Sequence, residues 1–567
     1  MREIDLRTMD RSGVESLVLM ENAAEAVVRV VSEHLSREIN GKRILVLCGK
    51  GNNGGDGAAV SRLLATSGAR VDVVLLGKIE ETKGDARINF ERLQSWNDEV
   101  MLREDRKSAH GEAGILNIFE CETEKAWAQL ANSILTIPAD VTIDALFGTG
   151  LTRPVEGIHA EAIRYFAQLR DNRDSANDQS AFIVAVDIPS GLNSDANEII
   201  GEAVRADVTV TMTAPKLANV LPPASNCNGK LIVADIGSAA ELIEFAKSNL
   251  FLIEQDDARS WLIETRYTAE SYKNTHGHAM IVAGSPGFTG AAALCANAAM
   301  CSGAGLVTVA TSASAQDVVA MQVMPEVMTT SLAETDRGTI SDEAIEYFSK
   351  FSERANVIAI GPGLSSEDER TRNFVRGVVE RRRTPVVIDA DGLNCLSPWP
   401  KDLRGSAELP IVLTPHPGEM LRLMGASDKL ALNDRVAAAR EFAMSHELIL
   451  LLKGSRSLIA APDGRVFVNS TGNSGLGTAG AGDTLTGIIT GFLAQAQAYK
   501  VPTDENNERV SVLQTVIAAL YISGRAGDLA AEELGMRSMV ASDIREHLSQ
   551  AICQLDPNGE MPSAGRD

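Results

Sequence analysis

Asp483 stands in a stretch that holds six glycines between Asn469 and Gly487, at the point where an apolar, helix-forming segment begins. Glycine lets backbone N–H groups approach an anion closely, and a helix starting near Thr484 would add unpaired amides and the positive end of its dipole. A carboxylate there is placed to take the proton of an attacking hydroxyl in phosphoryl transfer. The competing reading is a glycine-rich turn with an Asp capping a helix. The same half of the chain carries Lys453-Gly454-Ser455-Arg456-Ser457, whose cations suit a phosphate, Arg by a bidentate grip. It also carries Gly284 to Ala291, Gly361-Pro-Gly363 and Thr414-Pro-His416-Pro-Gly-Glu419, each after an apolar run. His416, fixed between two prolines, is either a ligand contact or a buried, hydrogen-bonded histidine.

The first half opens a second constellation. Residues 49–57 contain G-x-G-x-x-G, but the acid that a dinucleotide fold wants at the end of the next strand is missing: Asp72 lies mid-run and the run reaches Lys78. The extra Asn52, Asn53 and Asp56 add polar groups that a plain pyrophosphate loop does not need. Two more loops, from Asp144 to Pro154 and from Asp187 to Gly191, follow apolar runs. Asn53, Asp144 and Ser190 together offer oxygens to a hard cation. Taken one at a time, such acids also cap helices.

These residues need parallel strands behind them, so the fold class expected is α/β. A helix is expected over 13–34, strands over 43–48 and 70–76 around a helix from about Ala58 to Ser67, and further strands ending at Asp144, Asp187 and near Asp235. Residues 80–140 turn charged and read as a helix followed by a solvated insertion without function. From Ser238 to about Glu264 the pattern is helical, with a domain junction at 245–255. A second series of strands is expected near 279–283, 306–310, 357–360, 386–389, 411–414 and 448–452, then helices over 510–534 and 542–554. This divides the chain into domains 1–245 and 255–555 with a disordered tail, 556–567.

Bulk properties narrow the function. At 567 residues, 44% hydrophobic and 23% charged, the chain is folded with ample core. A net charge of −23 argues against a basic face for nucleic acid or anionic membrane, so anionic ligands must be held locally. The cysteines at 48, 121, 227, 295, 301, 395 and 553 are scattered and odd in number, as in a cytosolic protein with reduced thiols. No H-x-x-x-H pair points to zinc, and His276 and His278 read as structural. The start of the chain lacks a signal-peptide pattern, and Ala291 to Ala310 reads as a closely packed helix entering a strand, not a membrane span.

The motifs of residues 1–240, namely Leu-Met-Glu-Asn at 19–22, Gly-Asn-Asn-Gly-Gly-Asp at 51–56, Asp-Ala-Leu-Phe-Gly-Thr-Gly at 144–150 and Val-Asp-Ile-Pro-Ser-Gly at 186–191, resemble the NAD(P)H-hydrate epimerase family. The resemblance implies that Asn52, Asn53, Gly54, Gly55, Asp56, Gly148, Thr149, Gly150, Leu151, Thr152, Arg153, Pro154 and Asp187 bind the hydrated nucleotide. It further implies that Asn53, Asp144 and Ser190 hold potassium, and that Asp187 serves as acid/base at C6. Residues 255–555 resemble the NAD(P)H-hydrate dehydratase family, a ribokinase-like branch, through Lys273 to Gly277, Ala-Gly-Ser, Gly-Pro-Gly, Thr-Pro-His-Pro-Gly-Glu and Gly-Ala-Gly-Asp. Asn274 and Leu476-Gly477 depart from the commonest pattern. This resemblance implies nucleotide contacts at Lys453, Gly454, Ser455, Arg456, Ser457 and Gly482, hydrate contacts at Ala291, Gly363, His416 and Asp483, and Asp483 as base.

The implied architecture is a Rossmann-like αβα domain followed by a ribokinase-like αβα domain. The implied function is bifunctional repair of NADHX and NADPHX with ADP, giving AMP and phosphate. Mg2+ and K+ are the implied ions, in a cytoplasmic homo-oligomer. ADP against ATP, and NADHX against NADPHX, stay open. The rivals are an ATP-dependent vitamin kinase fused to a binding domain, a non-catalytic first half, and, ranked last, a dehydrogenase.

Overall fold

The computed structural model describes residues 2–104, 114–176, 182–245, 248–499 and 510–556. The chain divides into two compact units, Met1–Ser248 and Asn249–Asp567.

In the first unit β1 (Arg43–Cys48), β2 (Arg70–Leu75), β3 (Ile115–Glu120), β4 (Val141–Ala145), β5 (Phe182–Val186), β6 (Val208–Met212) and β7 (Lys230–Ala234) form a parallel sheet of order β3-β2-β1-β4-β5-β6-β7. The pleat sends Ile44, Val46 and Cys48 of β1 to one face and Leu45 and Leu47 to the other. The first face packs under helices Ser16–His34, Asn52–Thr66 and Gly84–Glu104, the second under Glu124–Ala131 and Ile158–Ala176. Strand order reverses between β1 and β4, the switch point where open α/β sheets bind ligands. The expected α/β class, Rossmann-like in this unit, is what forms.

Several expectations are corrected. The helix expected from Ala58 begins at Asn52, so the Asn-Asn-Gly-Gly-Asp motif is its first turns, not a loop before it. Residues 80–140 are no mere insertion: β3 pairs with β2 along its whole length and Trp127 is buried. As an edge strand β3 is half exposed, which erased the apolar run that sequence reading needs. Residues 105–113 of that stretch lie outside the described residues. Asp72 is held by Arg43 at 2.6 Å and by Asn117 at 2.8 Å, a cross-strand clamp unrelated to a ribose.

The second unit contains β8 (Leu250–Ile253), β9 (His278–Val282), β10 (Leu306–Ser312), β11 (Met328–Leu332), β12 (Val357–Ile360), β13 (Val386–Ile388), β14 (Ile411–Leu413), β15 (Ile449–Leu452), β16 (Leu458–Ala460) and β17 (Val466–Asn469). Their order is β11-β10-β9-β12-β13-β14-β15-β16-β17-β8, parallel except where the hairpin β15-β16-β17 runs back. The reversal lies between β9 and β12. One face is covered by helices Thr289–Cys301, Ala481–Ala498 and Val512–Leu534, and the strand residues pointing the other way, such as Met280, Val282 and Ile360, are equally buried.

The 238–264 stretch is not helical throughout, because β8 intervenes and completes the second sheet against β17. Ala291 to Ala310 is most of the helix Thr289–Cys301 followed by the first five residues of β10, and no helix among the described residues is long and apolar enough to cross a membrane. The helix expected over 542–554 is two helices, Ala541–Glu546 and Leu548–Leu555, that meet at His547. His276 stacks on Tyr267 and His278 bonds Thr308, both structural. The expected tail beyond 556 lies outside the described residues.

Candidate functional sites

In the first unit the loops after β1, β4 and β5 meet at the switch point. Glycine works here by absence of bulk: a Cβ on Gly54 would lie 1.7 Å from the Gly49 carbonyl oxygen, and one on Gly49 would lie 2.0 Å from the Leu146 carbonyl oxygen. Only bare backbone lets the helix start and the β4 loop close together. Gly54→Ala is therefore expected to lower the melting temperature, measurable by calorimetry. An unshifted melting curve would contradict the packing account.

That close packing brings Asn53 and Asp187 to the same spot, since a Cβ on Gly148 would be 3.4 Å from both Asn53 Oδ1 and Asp187 Oδ2. Asn53 is buried and its side-chain nitrogen has no hydrogen-bond partner among the described residues. Beside them Asp144, at the end of β4, has no solvent exposure. It accepts from the Ser190 amide at 2.8 Å, the Ser190 hydroxyl at 2.6 Å and the Leu146 amide at 3.2 Å. Burial pushes its carboxyl up to about 6 despite these donors. Asp144 and Ser190 form one hydrogen-bonded pair, while the side-chain oxygen of Asn53 faces Gly148.

Asp187 sits just past β5 at φ 65°, a left-handed conformation that costs a non-glycine residue about 1–3 kcal/mol and persists only where surroundings enforce it. Its Oδ1 receives the ammonium of Lys216 at 2.6 Å, and its amide donates to Val210 at 2.7 Å. Of the other expected contacts, Thr149 is tied to Ser194 through its carbonyl oxygen at 3.2 Å, while Gly150, Thr152, Arg153 and Pro154 form the exposed lip of the same loop. Asn52 is exposed at the helix start, with Gly55 and Asp56 in the turns behind it. Leu151 is half-buried in the lip. The Leu-Met-Glu-Asn motif acts as a fastener, with Glu21 paired to Arg62, Asn22 bonded to the Ile236 carbonyl and Met20 against Gly55.

In the second unit Asp389, at the end of β13, is almost fully buried between Lys453 (2.8 Å, Oδ1) and Thr486 (2.7 Å, Oδ2). A Cβ on Gly482 would be 3.2 Å from Lys453 Nζ and 3.8 Å from Asp389 Oδ2, so this glycine forms the wall of the charged spot. Asp483 follows at once. Burial, then the Asp389 carboxylate, push its carboxyl up to about 7, with Lys453 opposing and Asp391 and Glu419 adding to the rise. A carboxyl so poised is a proton acceptor usable at neutral pH. For Lys453 burial is the largest single effect and acts to lower it, but Asp389, Glu419 and Asp483 together outweigh it and hold its ammonium above the usual lysine range.

The helix expected near Thr484 starts at Ala481, which places Asp483 inside its first turn. Gly480, left-handed at φ 84°, makes that early start possible. Of the six glycines read as a phosphate cradle, Gly482 faces the charged spot. Gly487 is there for helix packing: a Cβ would meet the Cys295 carbonyl oxygen at 2.1 Å. Gly475 is likewise walled in by Met539.

The loop's shape comes from Asp528, which accepts from the Gly472 amide at 2.9 Å and the Asn473 side chain at 3.0 Å. Arg456, expected at phosphate, directs its guanidinium to the Asn469 and Ser470 carbonyls and so braces the glycine run. Arg435 instead lies against the 453–457 loop, bonded to the Ser455 carbonyl at 3.0 Å. Gly454 and Ser457 are joined by a hydrogen bond across that loop.

Gly363 and Ala291 lie together across the switch point, a Gly363 Cβ falling 3.1 Å from that of Ala291. His416 is exposed, which sets aside the reading of it as a buried histidine. It caps helix Pro417–Met424, accepting from the Gly418 amide on Nδ1 at 3.0 Å. That bond leaves Nε2 as the protonated nitrogen of the neutral ring, 3.5 Å from Glu419.

Comparison with known proteins follows the same two-part division. Residues 16–218 match the family described as YjeF-related protein N-terminus, and residues 279–550 match NAD(P)H-hydrate dehydratase. The bifunctional NAD(P)H-hydrate repair enzyme Nnr of Moorella thermoacetica is 38% identical over 572 aligned residues, spanning 100% of this chain and 98% of its own. The chain belongs to the bifunctional NAD(P)H-hydrate repair enzyme family. The Escherichia coli enzyme of the same name is 31% identical over 97% of this chain and 93% of its own. Among solved structures, an ADP/ATP-dependent NAD(P)H-hydrate dehydratase of Bacillus subtilis is 29% identical with a TM-score of 0.46, over 54% of this chain and 99% of that one.

The activities are those of the family, NAD(P)H-hydrate epimerase and dehydratase. Three residues of the two candidate clefts escaped sequence reading: Lys216, Asp389 and Asp528. Thr-Ala-Pro-Lys after an apolar run and Asp-Ala-Asp at the end of another were the available signals.

Proposed function

We propose that the cleft of the first unit interconverts R and S hydrates with Asp187 as the acid/base group at C6, and that the second unit phosphorylates the S hydrate with Asp483 as base. The observation that carries this reading is the Asp483 carboxyl, raised to about 7 beside Lys453 and Gly482. Asp483 takes the proton of the C6 hydroxyl as its oxygen attacks the terminal phosphoryl group of ADP, releasing AMP. A poor leaving group has then become a good one. The ring-nitrogen lone pair expels phosphate, C5 loses a proton, and the C5–C6 double bond of NAD(P)H returns. Lys453, Gly454, Ser455, Ser457 and Gly482 hold the nucleotide, Arg456 keeps the glycine run in place for it, and Ala291, Gly363 and His416 face the hydrate.

In the first unit Asp187 Oδ2 accepts the C6 hydroxyl proton while the C6–N1 bond breaks to leave an aldehyde at C6 and its electron pair on N1, which is conjugated with the carboxamide and takes up a proton until it re-adds to the carbonyl. Closure on the other face returns the proton and inverts the carbon. Asn52 to Asp56 and Gly148 to Pro154 bind the hydrate around it. Asn53, Asp144 and Ser190 would hold K+, which supplies positive charge beside the fully buried Asp144 carboxylate.

Among the described residues no three His, Cys, Asp or Glu side chains form a metal cluster, and both carboxylate oxygens of Asp389 are engaged. Mg2+ therefore fits as an ion carried in on the nucleotide phosphates, where it would neutralise developing charge. The reading places the enzyme in the cytoplasm as a homo-oligomer acting on small molecules.

The deciding experiment supplies mixed R and S hydrates with ADP or ATP and follows recovery of reduced-nicotinamide absorbance. Full recovery with ADP and stoichiometric AMP is expected. Accumulation of a stable phosphorylated product would return the vitamin-kinase reading.

A further inference from the structure

Lys216 is buried, yet it is not a solvated surface cation folded down by chance. Its ammonium reaches Asp187 Oδ1 at 2.6 Å, Thr211 Oγ1 at 2.9 Å and the Met212 carbonyl at 2.9 Å, one acceptor for each of its three protons. Its backbone amide is fixed by the Asn219 side chain at 2.9 Å, and Asn219 is in turn bonded to Asn228. The lysine is thus held at both ends. On the other side of the contact, Asp187 Oδ1 also accepts from Thr211 Oγ1 at 3.2 Å and the Met212 amide at 3.3 Å. Three donors crowd one carboxylate oxygen. The second oxygen is turned toward Gly148, at 3.4 Å from where a Cβ would stand, the same distance that separates that point from Asn53 Oδ1.

We propose that Lys216 is the positioning residue of the epimerase site, which ties down Asp187 Oδ1 so that Oδ2 alone is presented to the hydrate in the Gly148 cleft. This rests on the reading of Asp187 as the acid/base group. It also accounts for the left-handed backbone at Asp187, since a residue in that conformation needs its side chain held from outside. Lys216 touches the carboxylate and not the reacting carbon, so its loss weakens turnover more than binding.

The test uses the full-length enzyme with R hydrate and ADP, under conditions where epimerisation limits recovery of NAD(P)H. Lys216→Met is expected to lower kcat for the R hydrate about 100-fold, with KM changed by less than about threefold. Turnover of S hydrate, carried out in the other unit, stays at the parent rate. Lys216→Arg does not restore the rate, because a planar fork cannot replace a compact three-proton donor. Lys216→Ala, in contrast, regains at least about tenfold when methylammonium is added, the small cation entering the space vacated by the side chain.

A Lys216→Met enzyme that converts R hydrate at the parent rate overturns the proposal. So does a Lys216→Ala enzyme that unfolds, or that loses kcat and KM together without response to the amine, for then the lysine is structural. Asp187→Asn is assayed in parallel to separate the two readings. If it too retains full R conversion, Asp187 is not the acid/base group; if it is inactive while Lys216→Met is fully active, only the role of Lys216 fails.

Discussion

Asp483→Asn is expected to slow recovery of NAD(P)H from the S hydrate by about 10²–10⁴-fold, the range a positioned general base contributes. The substitution keeps the shape of the side chain and removes its capacity to take a proton. In the parent enzyme kcat/KM should rise as pH increases through about 7, because the deprotonated carboxylate is the active form. The same group sets a stability signature of opposite sense. Its folded value lies above that of an ordinary Asp, so between about 4 and 7 the folded chain binds more protons than the unfolded one, and stability falls as pH rises across that window. Asp483→Asn removes this contribution. The variant should therefore melt no lower than the parent at pH 8 while being almost inactive, and a variant that keeps its S-hydrate activity would dismiss Asp483 as the base.

Asp187→Asn is expected to strand the R hydrate. With ADP in excess, a mixture of hydrates should recover absorbance only to the extent of its S fraction, followed by a slow phase set by spontaneous interconversion. Chiral chromatography of the residue should find R alone. The amide cannot accept the hydroxyl proton, and it places a second neutral donor or acceptor where Lys216 expects an anion, so both proton transfer and alignment are lost. A fast single phase to complete recovery would remove Asp187 from the reaction.

Much of the fold was legible because buried parallel strands are continuous apolar runs: Arg43–Cys48, Val357–Ile360 and Ile449–Leu452 announce themselves. Six strands were missed: β6 (Val-Thr-Val-Thr-Met) and β11 (Met-Thr-Thr-Ser-Leu) are diluted by threonine, β3 and β8 lie at sheet edges with partly exposed patterns, and β16 and β17, though buried, are only three and four residues long. Glycine carried the opposite ambiguity. The sequence cannot distinguish Gly482, which walls the charged spot of Lys453 and Asp389, from Gly487, which lets two helices touch, because both are simply small residues until the packing is known. Motif acids such as Asp144 and Asp483 stood out by their spacing. Lys216 and Asp389 belong to the sites only through partners at Asp187 and Lys453, 29 and 64 positions away, and that pairing is set by tertiary folding.

The loop 453–457 is a hairpin connection, since Leu452 and Leu458 face each other in an antiparallel ladder. Its ends are closed by the sheet itself, so loop-closure entropy is settled when the chain folds and not when a nucleotide arrives. If this loop holds the nucleotide as proposed, such a preorganised grip would allow rapid release as well as capture, because little ordering is gained or lost in either direction, and it would leave discrimination between a diphosphate and a triphosphate to charge and reach at Lys453 and Gly482.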